Sequence, residues 1–102
     1  MVSLPKVLNT YRDELPWGFV RIMRPGLWGN PFVIGEHGDR AKVLRLYRVW
    51  LRDMVRTSPK FRRQFLALAD VPALVCCCKP KRCHGDVMVE LLAELVKGET
   101  DV

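Results

Sequence analysis

The sequence predicts an α/β fold: a small single domain with helices packed on a short sheet. Three observations lead to this prediction. Residues 71–78 form an apolar run, typical of a central strand that is covered on both faces. Residues 40–57 carry apolar side chains at helical spacing. The elements along the chain follow the order strand, strand, helix, helix, strand, helix, which is typical of a small mixed domain.

The first half of the chain predicts two strands and one long helix. Residues 6–10 indicate a short strand, and residues 18–23 are β-branched and aromatic enough for a second. Asp39 is a suitable N-cap for a helix over residues 40–57. One face of this helix carries an apolar stripe and another carries regularly spaced arginines, so we expect the apolar face to pack inward.

The second half predicts two helices around the apolar strand. Pro59 suits the first position of a short helix, which we expect over residues 60–68. After strand 71–78, the spacing of apolar residues predicts a final helix over residues 85–97. Gly98 is expected to end that helix.

Composition narrows the class of protein. With 102 residues, the chain predicts one domain, residues 1–102, whose core spans about 18–97. The net charge of +6 favours acidic partners, with nucleotides and nucleic acid first among them. No apolar run approaches the roughly 20 residues of a membrane helix, and the N-terminus has no signal-peptide layout, so we expect a cytoplasmic protein without membrane contact.

Residues 75–86 concentrate the chemically active side chains. They hold all four cysteines and one of the two histidines, between the central strand and the last helix. Sites in α/β sheets collect at the carboxyl ends of strands. The helix start offers unpaired N–H groups, and Lys79, Lys81 and Arg82 add positive charge. We therefore expect an anion to bind here, although Asp86 can instead cap the helix and oppose the anion.

A second motif is the loop Arg24-Pro25-x-x-Trp28-Gly29-Asn30-Pro31-Phe32. We expect Trp28 to offer a stacking platform, Asn30 to contact a base edge and Arg24 to contact a phosphate. In the alternative, Trp28 and Phe32 anchor the loop in the core while Asn30 bonds its own backbone. The core role is favoured slightly more for Phe32 than for Trp28.

Together, this loop and the motif Cys76-x-Cys78-Lys79-Pro80-x-x-Cys83-His84-Gly85-Asp86 resemble the domain-of-unknown-function family numbered four-three-two-six, small proteins of phages and bacteria. The helix segment Tyr47-x-x-Trp50-Leu51 is also similar. A weaker similarity reaches the family numbered four-eight-eight. The resemblance implies a compact α/β fold and no established activity. This chain differs in having Cys77 where the family often has an aromatic residue. The residues that recur together in the family are Arg24, Asn30, Cys76, Cys78, Cys83 and His84.

The cysteines allow two structural interpretations. Cys76, Cys78, Cys83 and His84 have the ligand types of a tetrahedral zinc site, and the first two share a face of the strand. Their gaps of one, four and no residues differ from the usual zinc knuckles. We therefore expect no cofactor and less than one zinc per chain. In the other interpretation, Cys76 and Cys77 simply pack as small apolar residues.

A catalytic thiol is a further interpretation. A thiolate at Cys83 would be favoured by His84 and by the helix dipole. The spacing from Cys76 to Arg82 also matches a phosphatase-like cradle, but no histidine precedes Cys76. We weigh this second pattern lower because such matches arise easily in a segment rich in cysteine and arginine.

The leading functional prediction is that a nucleotide or nucleic-acid phosphate binds between the Arg24–Phe32 loop and the Cys76–His84 loop. One alternative is a small enzyme that acts on a nucleotide-like substrate through Cys83 and His84. The other is a phage-type protein that binds a host protein through its basic helix. The predicted ligand-binding residues are Arg24, Trp28, Asn30, Lys79, Arg82 and His84.

Overall fold

The computed structural model describes residues 4–100 of the chain. The ends of the predicted domain, residues 1–3 and 101–102, lie outside this range. The strands and α-helices follow the predicted order of strand, strand, helix, helix, strand, helix. They are β1 (Lys6–Asn9), β2 (Val20–Arg21), α1 (Arg40–Thr57), α2 (Pro59–Ala67), a 3₁₀ turn (Leu68–Asp70), β3 (Ala73–Cys76) and α3 (His84–Thr100).

The sheet has three parallel strands in the order β1-β3-β2. The prediction that the apolar strand lies in the centre is confirmed, and all four residues of β3 are buried. The strand is shorter than predicted, because Cys77 and Cys78 leave the sheet. Thr10 closes the ladder on one side by donating to the carbonyl of Cys76, and Ile22 donates to the carbonyl of Val75 on the other. The carboxyl end of β3 is therefore the point where the neighbouring loops diverge.

Local capping sets the bounds of α1 and the start of α2. The Asp39 carboxylate accepts the Lys42 N–H at 2.9 Å, so α1 starts where the N-cap predicts. Ser58 ends α1 and caps α2, since its Oγ accepts the Phe61 N–H at 3.2 Å. Both bounds of α1 are confirmed.

Several other element ends differ from the prediction, and β1 and α2 each differ by one residue at an end. The second strand contracts to Val20–Arg21, because it pairs only with Leu74 and Val75 of the short β3. The helix α3 runs through Gly98 to Thr100, so the predicted stop at Gly98 is wrong. An exposed glycine lowers helix stability by about 1 kcal/mol but does not force the helix to end.

The core lies where α1, α2 and α3 pack against one another and where α3 covers β3. Its largest fully buried side chains include Tyr47 and Phe65. Within residues 4–100, no helix is long and apolar enough to cross a membrane. The helices do not cover the carboxyl edge of the sheet, and the candidate site lies at that edge.

Candidate functional site

A cleft of about 350 Å³ opens at the carboxyl edge of the sheet. The Arg24–Phe32 loop, the start of α1 and the cysteine loop enclose it, so the two loops singled out in the sequence border one space. Of the predicted site residues, the cleft brings together Arg24, Asn30, Cys78, Cys83 and His84. The complete lining is Met23, Arg24, Asn30, Phe32, Val33, Ile34, Arg40, Val43, Leu44, Cys77, Cys78, Cys83 and His84.

Two arginines give the cleft its charge. Arg24 is exposed and makes no ion pair within residues 4–100. Arg40, the first residue of α1, donates from Nη1 to the carbonyl of Arg82 at 3.0 Å. Its other guanidinium N–H groups remain available to a ligand. Among the described residues, the lining contains no carboxylate. The cleft therefore presents a positive potential to a ligand.

Asn30 shapes the wall of the cleft. Its Oδ1 accepts the Phe32 N–H at 2.9 Å, and its Nδ2 donates to the carbonyl of Val43 at 3.4 Å. The first bond forms a local turn of the kind that asparagine favours, and the second ties the loop to α1. The predicted contact of Asn30 with a base edge would have to compete with both bonds.

Trp28 occupies a different place from the predicted stacking platform. It is 8% exposed, and its ring centroid lies 5.1 Å from that of Phe61 and 5.8 Å from that of Phe65. Its carbonyl accepts the buried Tyr47 hydroxyl at 2.9 Å. Trp28 therefore anchors the loop in the core, while the half-buried Phe32 lines the cleft, the reverse of the expected preference.

His84 contributes a neutral ring to the cleft. Its Nε2 lies 2.6 Å from the carbonyl of Ile22, so Nε2 carries the proton and Nδ1 is the free acceptor. Burial, with a smaller effect of Arg24, lowers the pKa of His84 below its ordinary value. The ring packs edge-on against Tyr47, with centroids 5.2 Å apart. His84 therefore offers a hydrogen-bond acceptor rather than a positive charge.

A buried pair of thiols lies behind His84. The Sγ atoms of Cys76 and Cys83 are 3.3 Å apart. The Cys83 thiol donates to Cys76 and, with backbone N–H groups of Cys78 and Lys79, lowers the pKa of Cys76 to about 6. The same bond, together with burial, raises the pKa of Cys83. Only Cys83 of this pair lines the cleft, and Cys76 is sealed off behind it. The bond to Cys76 favours the protonated form of the thiol that faces the cleft.

The start of α3 is capped from within the chain. Asp86 accepts the Cys83 N–H at 3.0 Å and pairs with Lys79 at 2.6 Å, which raises the pKa of Lys79. Lys79 lies outside the cleft lining, as does Arg82, whose guanidinium is 3.5 Å from Glu90. The expected phosphate cradle of Lys79, Arg82 and the N–H groups at the helix start therefore does not form at the cleft.

The metal candidates do not converge. Within the described residues, no three His, Cys, Asp or Glu side chains come together to hold an ion. Cys76 and Cys83 touch each other, but His84 uses Nε2 on the carbonyl of Ile22. The expected zinc content of less than one per chain stays a prediction for elemental analysis.

A second depression, which we call the basin, adjoins the cleft. It has a volume of about 480 Å³ and shares Arg40, Cys77 and Cys78 with the cleft. Like the cleft, its described lining contains no carboxylate. The basin is lined by Asn9, Tyr11, Arg12, Arg40, Cys77, Cys78, Lys79, Pro80 and Lys81.

Comparison with known proteins assigns the chain to a family. The family described as "Domain of unknown function (DUF4326)" matches residues 8–94. The chain belongs to the DUF4326 family. It is similar to the "Uncharacterized 12.4 kDa protein in nrdA-td intergenic region" of Enterobacteria phage T4, with 31% identity over 101 residues, covering 97% of this chain and 87% of the relative. No solved structure matches the chain.

The two motifs that resemble DUF4326 meet at the cleft. Arg24 and Asn30 come from the first motif, and Cys83 and His84 come from the second. The predicted membership is confirmed, and it describes a phage-type domain of unknown function. Neither the family description nor the name of the relative states an activity.

Sequence reasoning missed two side chains of this DUF4326 surface. The sequence predicts Arg40 only as the first residue of a helix, and Tyr11 lies outside every predicted element. The position of each residue in the sequence could have indicated its place at the cleft or the basin. Tyr11 follows β1 and Arg40 follows the N-cap Asp39, and in a small parallel sheet both positions fall at the carboxyl edge.

Proposed function

We propose that the protein binds a nucleotide in the cleft. The observation that carries this proposal is the pair Arg24 and Arg40, which comes from two different elements and faces a space where residues 4–100 place no carboxylate. A guanidinium presents a planar fork of donors that matches phosphate, and this makes arginine the usual residue for phosphate recognition.

The rest of the cleft suits the remainder of a nucleotide. Phe32 and Leu44 belong to an apolar wall against which a base or sugar can pack. His84 supplies a neutral acceptor, and Cys83 presents a sulfur whose proton is bonded to Cys76. A volume of about 350 Å³ lies within the range of small-molecule sites, about 300–1,000 Å³. A few polar groups in a mostly apolar pocket fix the orientation of such a ligand.

The test is a calorimetric titration of the protein with a panel of nucleotides. Arg24→Ala should weaken binding by about 1.5–3 kcal/mol, the range for a hydrogen bond to a charged group. Arg63→Ala, an exposed arginine of α2 away from the cleft, removes the same charge and serves as the matched control. Arg63→Ala should bind like wild type.

Melting curves recorded without ligand separate binding from folding. Because Arg24 is exposed, Arg24→Ala should change the free energy of unfolding by no more than about 0.5 kcal/mol. If wild type binds none of the nucleotides and Arg24→Ala melts at a lower temperature, Arg24 holds the loop in place and the proposal fails.

A second candidate is an enzyme that acts on the bound nucleotide. The observation in its favour is that Cys83 and His84 both line the cleft. Because the Cys83 proton is bonded to Cys76 and the pKa of Cys83 is raised, Cys83 would act as a nucleophile only after Cys76 takes that proton, with His84 as a further proton acceptor. Chromatography of each nucleotide after incubation distinguishes the two functions. Binding alone returns the nucleotide unchanged, whereas catalysis forms a product that Cys83→Ser abolishes while binding is kept.

The host-protein alternative has less support from the charges of α1. Arg48 pairs with Glu90, Arg52 pairs with Glu94, and Arg56 pairs with Asp53. Such pairs lower the charge that the basic face offers to an acidic partner. A cytoplasmic location remains part of the proposal, since the cysteines are free and thiols persist in a reducing compartment.

A further inference from the structure

Tyr11 is an exposed aromatic residue on a firmly held loop. Its side chain is 84% exposed, but its N–H donates to Asn9 Oδ1 at 2.7 Å. Asn9 is buried and bonds the carbonyl of Lys79 at 2.6 Å, and the Asp13 carboxylate accepts the Asn9 N–H at 2.7 Å. The backbone at Tyr11 is therefore fixed to the cysteine loop through Asn9, while the ring is exposed to solvent.

Unpaired positive charge surrounds this ring. Arg12, Arg40 and Lys81 line the basin beside Tyr11, and none of them forms an ion pair within residues 4–100. Lys79 differs, because Asp86 neutralises its charge. An aromatic face among free cations is the arrangement with which proteins bind unpaired bases and the phosphates between them.

The basin continues the cleft along the carboxyl edge. Arg40 borders both depressions, and so do Cys77 and Cys78. A phosphate at Arg40 would therefore connect a group in the cleft with a group over Tyr11. A free mononucleotide fills the cleft alone and leaves the basin without a partner.

We infer that the ligand is single-stranded nucleic acid, with one nucleotide in the cleft and its neighbour stacked on Tyr11. The inference rests on the proposed nucleotide binding and specifies the class of ligand. A duplex is excluded as the preferred form, since its bases are already stacked on each other and do not offer a face to a side chain. Arg12, Arg40 and Lys81 would contact the backbone without selecting a sequence.

The experiment compares a mononucleotide with short single-stranded oligonucleotides on wild type and Tyr11→Ala. We expect oligonucleotides to bind more tightly than the mononucleotide. Tyr11→Ala should weaken oligonucleotide binding by about 5- to 150-fold, the effect of losing one stacked base, and leave mononucleotide binding unchanged. Tyr11→Phe keeps the ring and should bind like wild type.

Two further variants sharpen the result. Trp17 is 97% exposed but precedes β2, at the opposite edge of the sheet, so Trp17→Ala should have no effect. Arg12→Ala should lower oligonucleotide affinity uniformly across sequences and reduce the slope of log affinity against log salt by about 1.

The outcomes separate this inference from the proposed function. If mononucleotides bind and oligonucleotides bind no tighter, the inference fails and the proposed function stands. If neither binds, both fail. If inorganic polyphosphate or an acidic peptide binds as tightly as oligonucleotides and Tyr11→Ala makes no difference, the basin is a general polyanion site and the inference is overturned.

Discussion

Replacing Tyr47 with phenylalanine removes one oxygen from the centre of the core. The Tyr47 hydroxyl is fully buried and donates to the carbonyl of Trp28 at 2.9 Å. This bond ties the Arg24–Phe32 loop to α1. Tyr47→Phe keeps the ring and its packing, but the buried carbonyl of Trp28 loses the hydroxyl that it accepts.

The expected cost follows from that carbonyl. A buried acceptor without its partner destabilises a fold by about 1–3 kcal/mol. An unfolding entropy near 2.1 cal/mol/K per residue gives about 0.2 kcal/mol/K for this chain, so the melting temperature should fall by about 5–14 °C. Tyr11→Phe makes the same chemical change on an exposed ring and should leave the melting temperature unchanged.

The pH dependence offers an independent readout of the same hydroxyl. Burial, with a further effect of Cys83, raises the pKa of Tyr47 above its ordinary value near 10. The unfolded chain ionises Tyr47 above pH 10 while the folded chain keeps the proton. Above pH 10, the free energy of unfolding of wild type should therefore fall by up to about 1.4 kcal/mol per pH unit because of Tyr47. The difference in stability between wild type and Tyr47→Phe should shrink accordingly.

Urea unfolding at pH 8 and at several values above pH 10 measures both effects. If Tyr47→Phe is as stable as wild type at pH 8, or if the difference between them does not shrink at high pH, the Tyr47 hydroxyl is not the buried donor described above.

Three further predictions concern the loops around the cleft. Trp28→Ala should lower the free energy of unfolding by about 3–5 kcal/mol and Trp28→Phe by less, both measured by urea titration; a stable Trp28→Ala would contradict its role in the core. Asp86→Ala removes the acceptor of the Cys83 N–H and should cost about 0.5–2 kcal/mol, seen as a lower melting temperature; an unchanged melt would show that the cap is dispensable. The lowered pKa of His84 means that the unfolded chain takes up a proton more readily, so wild-type stability should fall as pH drops below about 6.5. His84→Gln should flatten this profile, measured by urea unfolding at several pH values, and an unchanged profile would contradict the buried neutral ring.

Features with local causes were predictable from the sequence. Asp39 and Ser58 mark the bounds of α1 because each side chain caps the residues next to it. The central position of β3 follows from apolar side chains on both of its faces. The meeting of the two loops at one edge follows from the parallel order of the strands, since their carboxyl ends share that edge.

Features set by packing were not predictable in the same way. Trp28 and Phe32 are both aromatic residues in one loop, and the choice between core and cleft depends on the space beside Phe61 and Phe65. The thiol pair depends on how the loop returns Cys83 to Cys76. These arrangements arise from contacts distant in the chain, and the residue types alone do not distinguish them.

The strand order has a consequence for how the chain folds during synthesis. β1 and β2 are not neighbours, and each pairs only with β3: Lys6 lies opposite Ala73, and Val20 lies opposite Leu74. The strands made first therefore have no partner until most of the chain has left the ribosome, whereas α1 and α2 can form earlier from local contacts. Long-range parallel pairing of this kind slows folding, because a large loop must close before any strand contact forms. We expect chains ending before β3 to be helical but to lack a sheet, and to depend on chaperones in the cell.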